Sequence, residues 1–335
     1  MQLTTLIPAY KPDYLGQAFA GLQRQTMRDF RVIVSDDSAG GVIETMLREG
    51  RWAMQTAGLE IRVLPGPKNA RRNHERLLDL WGGATPYVHF QLDDDVVYPD
   101  FYRAHLDALA GGDYAASISQ RWLSQTDAEP AGELPLPDFV RASALRAVPV
   151  SPRDLYASTL PGCVNWLGEL SNIVFTAAAA ARYPRPPCDG LSYYGLLDVG
   201  ALLECGGDAP LVFLRDHLSV FRQHPQQTSQ AVGAGQHGHR VTVLAWAAYA
   251  LHAWRQGRID ALQALQALYR TVQNCHHFYP AGDAAIDGFL ALMPPLDLAG
   301  AVSLDALHTA YTRTWLELLA SHPATSAREP TGALA

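Results

Sequence analysis

Three aspartates in a row, Asp93-Asp94-Asp95, follow the apolar run Tyr87-Val88-His89-Phe90-Gln91-Leu92. Adjacent carboxylates raise one another's proton affinity unless a cation compensates. The usual compensation is a hard divalent ion, held by one or two carboxylates together with substrate phosphates. The triplet therefore suits Mg2+ or Mn2+ gripping a diphosphate, against the plainer assignment of a solvated acidic turn or helix cap. A second acidic pair, Asp36-Asp37, closes the β-branched run Phe30-Arg31-Val32-Ile33-Val34-Ser35 in the same way. Further on, Asp198 precedes apolar residues that recur at helical spacing. That puts it near a helix start, where a carboxylate is stabilised by the helix end or serves as a cap.

These residues need elements to hold them. Thr4 to Pro8 reads as a strand and Tyr14 to Gln25 as a helix with Leu15, Phe19 and Leu22 on one side. Phe30 to Ser35 and Glu60 to Leu64 read as strands, Val42 to Gln55 and Asn69 to Trp81 as helices, and Tyr87 to Leu92 as a fourth strand. Such alternation predicts an open α/β sheet with right-handed crossovers. Ligands bind outside the carboxyl ends of strands in these sheets, and both acidic loops lie at such ends. From Ala115 to about Val150 the pattern weakens and Pro130, Pro135, Pro137 and Pro149 accumulate, which predicts a long insertion or mobile segment. From Gln236 onward the chain is Ala-, Leu- and Gln-rich. This predicts a helical C-terminal appendage with a frayed tail after about Ser321, dividing the protein at residues 1–230 and 231–335.

The 335 residues carry 26 Lys and Arg against 33 Asp and Glu, a formal charge of −7. That balance argues against broad nucleic-acid binding, which needs a basic face. The four cysteines, Cys163, Cys188, Cys205 and Cys275, form no Cys-x-x-Cys pair and fit a reduced cytoplasmic protein. Met1 to Pro8 lacks the basic start of a secretory signal. The longest apolar run, Val241 to Trp254, falls short of the ~20 residues that span a bilayer. Cytoplasmic placement is expected, with peripheral attachment at the inner membrane surface left open.

Four segments resemble the family 2 glycosyltransferases of GT-A fold, over about the first hundred residues. Ile7-Pro8-Ala9-Tyr10-Lys11 resembles their Pro-x-Tyr-Asn start, with Lys11 in place of Asn. Gln25 to Ser38 resembles their Gln-Thr, strand, Asp-Asp segment, Ala70-Arg71-Arg72-Asn73 their Ala-Arg-Asn helix start, and Leu92-Asp93-Asp94-Asp95 their Asp-x-Asp metal motif. The resemblance implies a mixed open sheet with a Rossmann-like nucleotide-binding half. It also implies an inverting transfer of a sugar from a nucleotide diphosphate sugar to an acceptor hydroxyl. A UDP-sugar is favoured over GDP- and dTDP-sugars, and the acceptor is a glycan, lipid-linked glycan, protein or small molecule.

By the same resemblance, Asp37, or Asp36 beside it, accepts a hydrogen bond from the base, and Pro8 and Tyr10 line the base pocket. Arg71 or Arg72 pairs with the pyrophosphate, as a guanidinium's fork of donors suits. Asp93 and Asp95 bracket the ribose and the metal, with Asp94 and Asp95 both open as the main ligand. An inverting transfer needs a carboxylate base, and Asp198 is the first candidate, with Leu197 where the family often has Glu; Glu169 and Asp189 are the alternates. Val220-Phe221-Arg222-Gln223-His224-Pro225 resembles the family's Tyr-Arg-x-His segment, which implies that His224 is a metal ligand or touches the diphosphate, with Arg222 a phosphate partner or the mate of an acid. Trp166 would offer a sugar-stacking face or pack in the core, and Glu169 would bond sugar hydroxyls. Gln226 to His239 reads as a flexible loop that closes over the donor. His237-Gly238-His239 and His276-His277 lack convergent acidic or cysteine partners. A nucleotidyltransferase would call for a Gly-rich phosphate loop after the first strand, and Ala9-Tyr10-Lys11-Pro12 has none. A catalytically silent binding module is the non-enzymatic alternative, with the intact triplet against it.

Overall fold

In the computed structural model, residues 1–125, 128–183, 196–224, 237–293 and 303–320 are described. The first half alternates as its hydrophobic pattern predicts: β1 (Leu3–Ala9), α1 (Leu15–Gln23), β2 (Phe30–Asp36), α2 (Val42–Arg48), β3 (Ile61–Pro65), α3 (Ala70–Trp81) and β4 (Tyr87–Phe90). Helix α2 is shorter than expected, because Gly50 follows its end at φ +78° and the chain turns there. The middle adds β5 (Val96–Val97), α4 (Phe101–Ala110), β6 (Ala116–Ser124), β7 (Pro130–Gly132), α5 (Asp138–Arg141), β8 (Ala147–Val150) and α6 (Pro152–Thr159). Then come β9 (Ile173–Thr176), α7 (Ala177–Ala180), α8 (Leu197–Cys205) and β10 (Leu211–Arg222). Four helices follow: α9 (His237–Arg255), α10 (Ala261–Phe278), α11 (Ala284–Leu290) and α12 (Leu304–Ala320).

The strands form one mixed sheet in the order β3-β2-β1-β4-β9-β6-β10-β5. β1, β2, β3 and β4 are parallel, whereas β9 runs antiparallel to both β4 and β6. The segment expected to be an insertion instead supplies β6, a central strand between β9 and β10. Its pattern is hard to read because Ser117, Ser119 and Gln120 alternate with Ala116 and Ile118 while all are buried. β10 pairs with β8 along its first half and with β5 near its end, with register shifts around His217 between them. That kink carries the end of β10 across to the chain that has just left β4.

Period-two alternation splits the apolar residues between two faces. Leu3, Ile7, Val32 and Val34 pack with Phe19 and Leu22 of α1 and Phe101 and Leu106 of α4. Leu6, Ile33, Phe90 and Phe213 face a second core that includes Leu77 of α3 and Leu202 of α8. The same core takes in Val241, Leu244, Leu268, Tyr311 and Trp315. The expected helical C-terminal region is thus present, and its helices share the core on the sheet's second face. The expected tail after Ser321 lies outside the described residues. Among those described, no helix is long and apolar enough to cross a membrane.

Close approach of α1 to β5 requires a glycine: a Cβ at Gly21 would lie 2.7 Å from the Val97 carbonyl oxygen. Backbone on both sides leaves no room to yield. Gly21→Ala is expected to lower stability by about 1–3 kcal/mol, measured by urea unfolding.

Candidate active site

β4 ends at Phe90, and Gln91 takes over the pairing by donating its amide to Leu6 O at 2.9 Å. The Gln91 side chain then bonds the carbonyls of Leu92 and Asp95, both at 3.0 Å, and closes the chain into a tight loop. The three carboxylates on this loop point to different partners. Asp93 Oδ2 accepts the amides of Tyr10 and Lys11 at 2.7 and 2.8 Å, tying the loop to the end of β1. Burial and the neighbouring Asp94 push its carboxyl up to about 6 despite those two donors. Asp94 Oδ2 lies 3.1 Å from His224 Nε2. Asp95 is 1% exposed; its Oδ1 accepts the Arg222 amide at 3.1 Å, and its Oδ2 is buried with no hydrogen-bond partner among the described residues. Burial first, then Asp94 and Glu169, hold the Asp95 carboxyl well above the ordinary range.

Arg222 is fully buried. Its Nε donates to Asp94 O at 2.8 Å, Nη2 bonds Gln17 Oε1, and the guanidinium lies 4.3 Å from the Tyr14 ring centre. It clamps the acidic loop, and its buried guanidinium bonds protein groups in place of the diphosphate contact that was one of its two expected roles. The His224 ring packs on the same Tyr14 at 4.9 Å between centroids. Nor do Asp93, Asp95 and His224 converge: among the described residues no group of three His, Cys, Asp or Glu side chains is placed to hold a metal. Asp93 is turned to backbone amides and Asp95 inward, so Asp94 and His224 are the donors the structure brings together.

At the end of β2, Asp36 accepts the Ser38 amide on Oδ1 and the Glu44 amide on Oδ2, each at 2.9 Å. Both oxygens are spent on the turn into α2, leaving Asp37 as the acid of the pair that is not used there. Asp37 Oδ1 accepts the amide of Lys68, whose φ is +57°. Burial raises the Asp37 carboxyl, opposed by the Lys68 amide and charge. Pro8 pairs with Ser35 within the sheet, and Tyr10 is 49% exposed at the rim. Arg72 is exposed on the first turn of α3, where its amide bonds the capping Asn69 Oδ1 at 3.1 Å. Arg71 sits one residue earlier on that turn, and its side chain lies outside the described residues.

Across the rim, Asp198 occupies the first turn of α8. It is not the cap, since Leu196 holds that position without a side-chain bond. Burial, then the Glu169 charge, raises its carboxyl to about 7, against Arg121 and the Leu170 amide. Glu169 is paired with Arg121, Nε to Oε2 at 2.6 Å and Nη2 to Oε1 at 3.2 Å, so its oxygens are committed to a guanidinium in contrast to the expected sugar hydroxyls. Trp166 is 1% exposed, donates Nε1 to Ser158 at 3.1 Å and packs against Phe213. It is a core residue and no stacking surface, a correction that follows from its place beneath the sheet. Asp189 and most of the expected Gln226–His239 loop lie outside the described residues. His239 belongs to α9, with Nδ1 2.7 Å from Tyr279 Oη, and His276 and His277 are exposed in the last turn of α10.

Tyr14, Gln17, Lys68, Gln91 and Arg121 escaped the reading of the chain. Gln91 and Arg121 had a signal, as polar residues inside otherwise strand-like runs. The others act through contacts that no local pattern announces.

Two raised carboxyls have a consequence for stability. Asp93 and Asp198 bind protons in the fold up to about pH 6 and 7, from a value of 3.8. Between those limits the native state holds more protons than the unfolded chain, so stability falls as pH rises from about 4 to 7. Asp198→Asn is expected to flatten that slope in unfolding curves recorded across the window.

No family model matches the chain, and no curated protein matches it. Solved structures do. TarS of S. aureus, residues 1–349 with UDP, is 13% identical over 96% of this chain and 91% of that one, at a TM-score of 0.53. The same protein with UDP-GlcNAc is 11% identical over 96% and 91%, at 0.51. The mannosyltransferase PcManGT from Pyrobaculum calidifontis, with GDP-Man and Mn2+, is 17% identical over 96% of this chain and 86% of that one, at 0.51. At such identities the likeness is one of fold: a mixed open α/β sheet of GT-A type with C-terminal helices.

Proposed function

We propose that this protein is an inverting glycosyltransferase, moving a sugar from a nucleotide diphosphate sugar to an acceptor hydroxyl. The observation that carries the reading is the pair Asp94 Oδ2 and His224 Nε2, 3.1 Å apart at the acidic loop that follows β4. The neighbours with UDP-GlcNAc and with GDP-Man and Mn2+ supply the donor class. Residues 1–230 carry the chemistry, and helices α9 to α12 share the core on the sheet's second face.

The donor set fits a divalent cation of the Mn2+ or Mg2+ type. One carboxylate and one imidazole suffice when phosphate oxygens complete the shell, and the buried, unpartnered Nδ1 of His224 leaves that ring committed to the Asp94 side alone. When bound, such an ion neutralises the charge that develops on the departing diphosphate. The chain does the rest. Asp37, shaped by the Lys68 amide, accepts from the base of a nucleotide lying along the end of β1, with a UDP-sugar as the favoured donor. Tyr10 lines that pocket, and Arg72, exposed beside it, meets the diphosphate. Asp93 fixes the backbone of residues 10 and 11 beneath the ribose. Asp198 takes the proton of the acceptor hydroxyl as its oxygen attacks the anomeric carbon.

Transfer assays with Mn2+ and a panel of UDP-, GDP- and dTDP-sugars test this reading. Asp198→Asn is expected to cut turnover by ~10²–10⁴-fold while UDP binding survives. Asp94→Asn, His224→Ala or removal of the metal with EDTA should instead abolish cation-dependent nucleotide binding, read by calorimetry. Near-normal turnover in Asp198→Asn would end the assignment of the base. Because Asp198 acts only when ionised, and its carboxyl sits at about 7, kcat/KM should climb with pH and level off above neutrality.

A further inference from the structure

His224 is 4% exposed, and one polar contact engages its ring, Nε2 with Asp94 Oδ2 at 3.1 Å. The other nitrogen, Nδ1, is buried with no hydrogen-bond partner among the described residues. A histidine that serves a metal ordinarily gives its second nitrogen to a carboxylate, a carbonyl or a water, and that bond fixes the ring. With Nε2 alone engaged, an imidazole can swivel about its one contact. Packing has to supply the restraint.

The packing comes from Tyr14. Its ring lies 4.9 Å from the His224 ring between centroids, tilted by 52°, within the range of a favourable aromatic pair. The same ring meets the Arg222 guanidinium at 4.3 Å, a cation–π distance. Arg222 in turn donates to Asp94 O. Tyr14 therefore touches the histidine of the pair directly and reaches the backbone of the aspartate through one arginine.

Tyr14 is itself held in place. It stands just before α1, and its carbonyl accepts the Gln17 and Ala18 amides at 2.8 and 3.2 Å. Leu15, Phe19 and Leu22 bury that helix against the sheet. Gly16 lets it close on Trp52, for a Cβ there would come within 2.8 Å of the indole. The connection from β1 is tied at its other end by the Asp93 carboxylate on the amides of Tyr10 and Lys11. A platform fixed on both sides can steady a ring that has a single polar anchor.

We propose that Tyr14 is a positioning residue for His224: its ring does by packing what a second hydrogen bond does elsewhere, and sets the imidazole toward Asp94. The aromatic ring carries the role, and the hydroxyl does not. This rests on the reading of Asp94 and His224 as donors to a divalent cation.

Two measurements on the full chain test it. Mn2+ binding in the presence of UDP is followed by electron paramagnetic resonance. The His224 ring is followed by 1H–15N NMR of the metal-free chain with labelled histidine, its signals assigned by their loss in His224→Ala. Tyr14→Phe should match the wild type in both. Tyr14→Leu should weaken Mn2+ binding by ~10–100-fold and broaden or split the His224 signals. The signals of His89 and His105, buried beneath α4, should stay as they are, whereas a general loss of packing would disturb them too. A folded Tyr14→Leu chain with wild-type Mn2+ affinity, or with His224 signals that stay sharp, overturns the proposal. So does a Tyr14→Phe chain that loses as much as Tyr14→Leu. Should Tyr14→Leu fail to fold, Tyr14→Met is read by the same two measurements. A wild-type chain that binds no Mn2+ ends the cation reading instead, and the ring signals then decide the positioning by themselves.

Discussion

Arg222 delivers both its amide and its guanidinium to the acidic loop, and the geometry of the rim depends on that double contact. Three consecutive carboxylates repel, and they stay together only when each meets its own donors. Here the Tyr10 and Lys11 amides take Asp93, His224 takes Asp94, and the Arg222 amide takes Asp95. The guanidinium, stacked on Tyr14 and bonded to Gln17, meanwhile holds the loop's backbone through the Asp94 carbonyl. Remove this residue and the buried Asp95 carboxylate would sit beside Asp94 without the guanidinium that holds the loop.

Its placement follows from the sheet. β5 is only two residues long, yet its antiparallel pairing with β10 sets Val96 opposite Val220 and brings position 222 beside the loop. The register shifts around His217 let β10 serve β8 at one end and β5 at the other. A strand that changes partner midway is how residues far apart in the chain are delivered to one rim.

Burial does the electrostatic tuning. Asp93, Asp95 and Asp198 all sit above the ordinary carboxylate range, each with desolvation as the largest cause. What differs is the second influence: it is Asp94 for the first two, with Glu169 acting on Asp95 as well, whereas Glu169 and, in opposition, Arg121 act on Asp198. Two clusters of carboxyls with raised proton affinity result, one on the acidic loop and one at the head of α8. The C-terminal helices contribute to the second, since Tyr249 of α9 lies near Asp198 and bonds Leu196 O at 3.5 Å at the head of α8.

Local physics made much of this legible in the chain. Alternating apolar residues from Leu3 to Phe90 specify strands and crossovers because side-chain period depends on near neighbours alone, and an acidic run after a strand falls at the ligand-binding rim by topology. Tertiary packing decided the rest. Nothing within a few residues of Trp166 says that it points into the core, and Asp95 meets a donor 127 positions away. The strand hidden in Ala116–Ser124 was obscured because serines read locally as loop residues, and their burial is set by the strands on either side. Which aspartate meets a histidine, which arginine is a clamp and which glutamate is already paired are questions about partners, and partners are assigned only when the sheet closes.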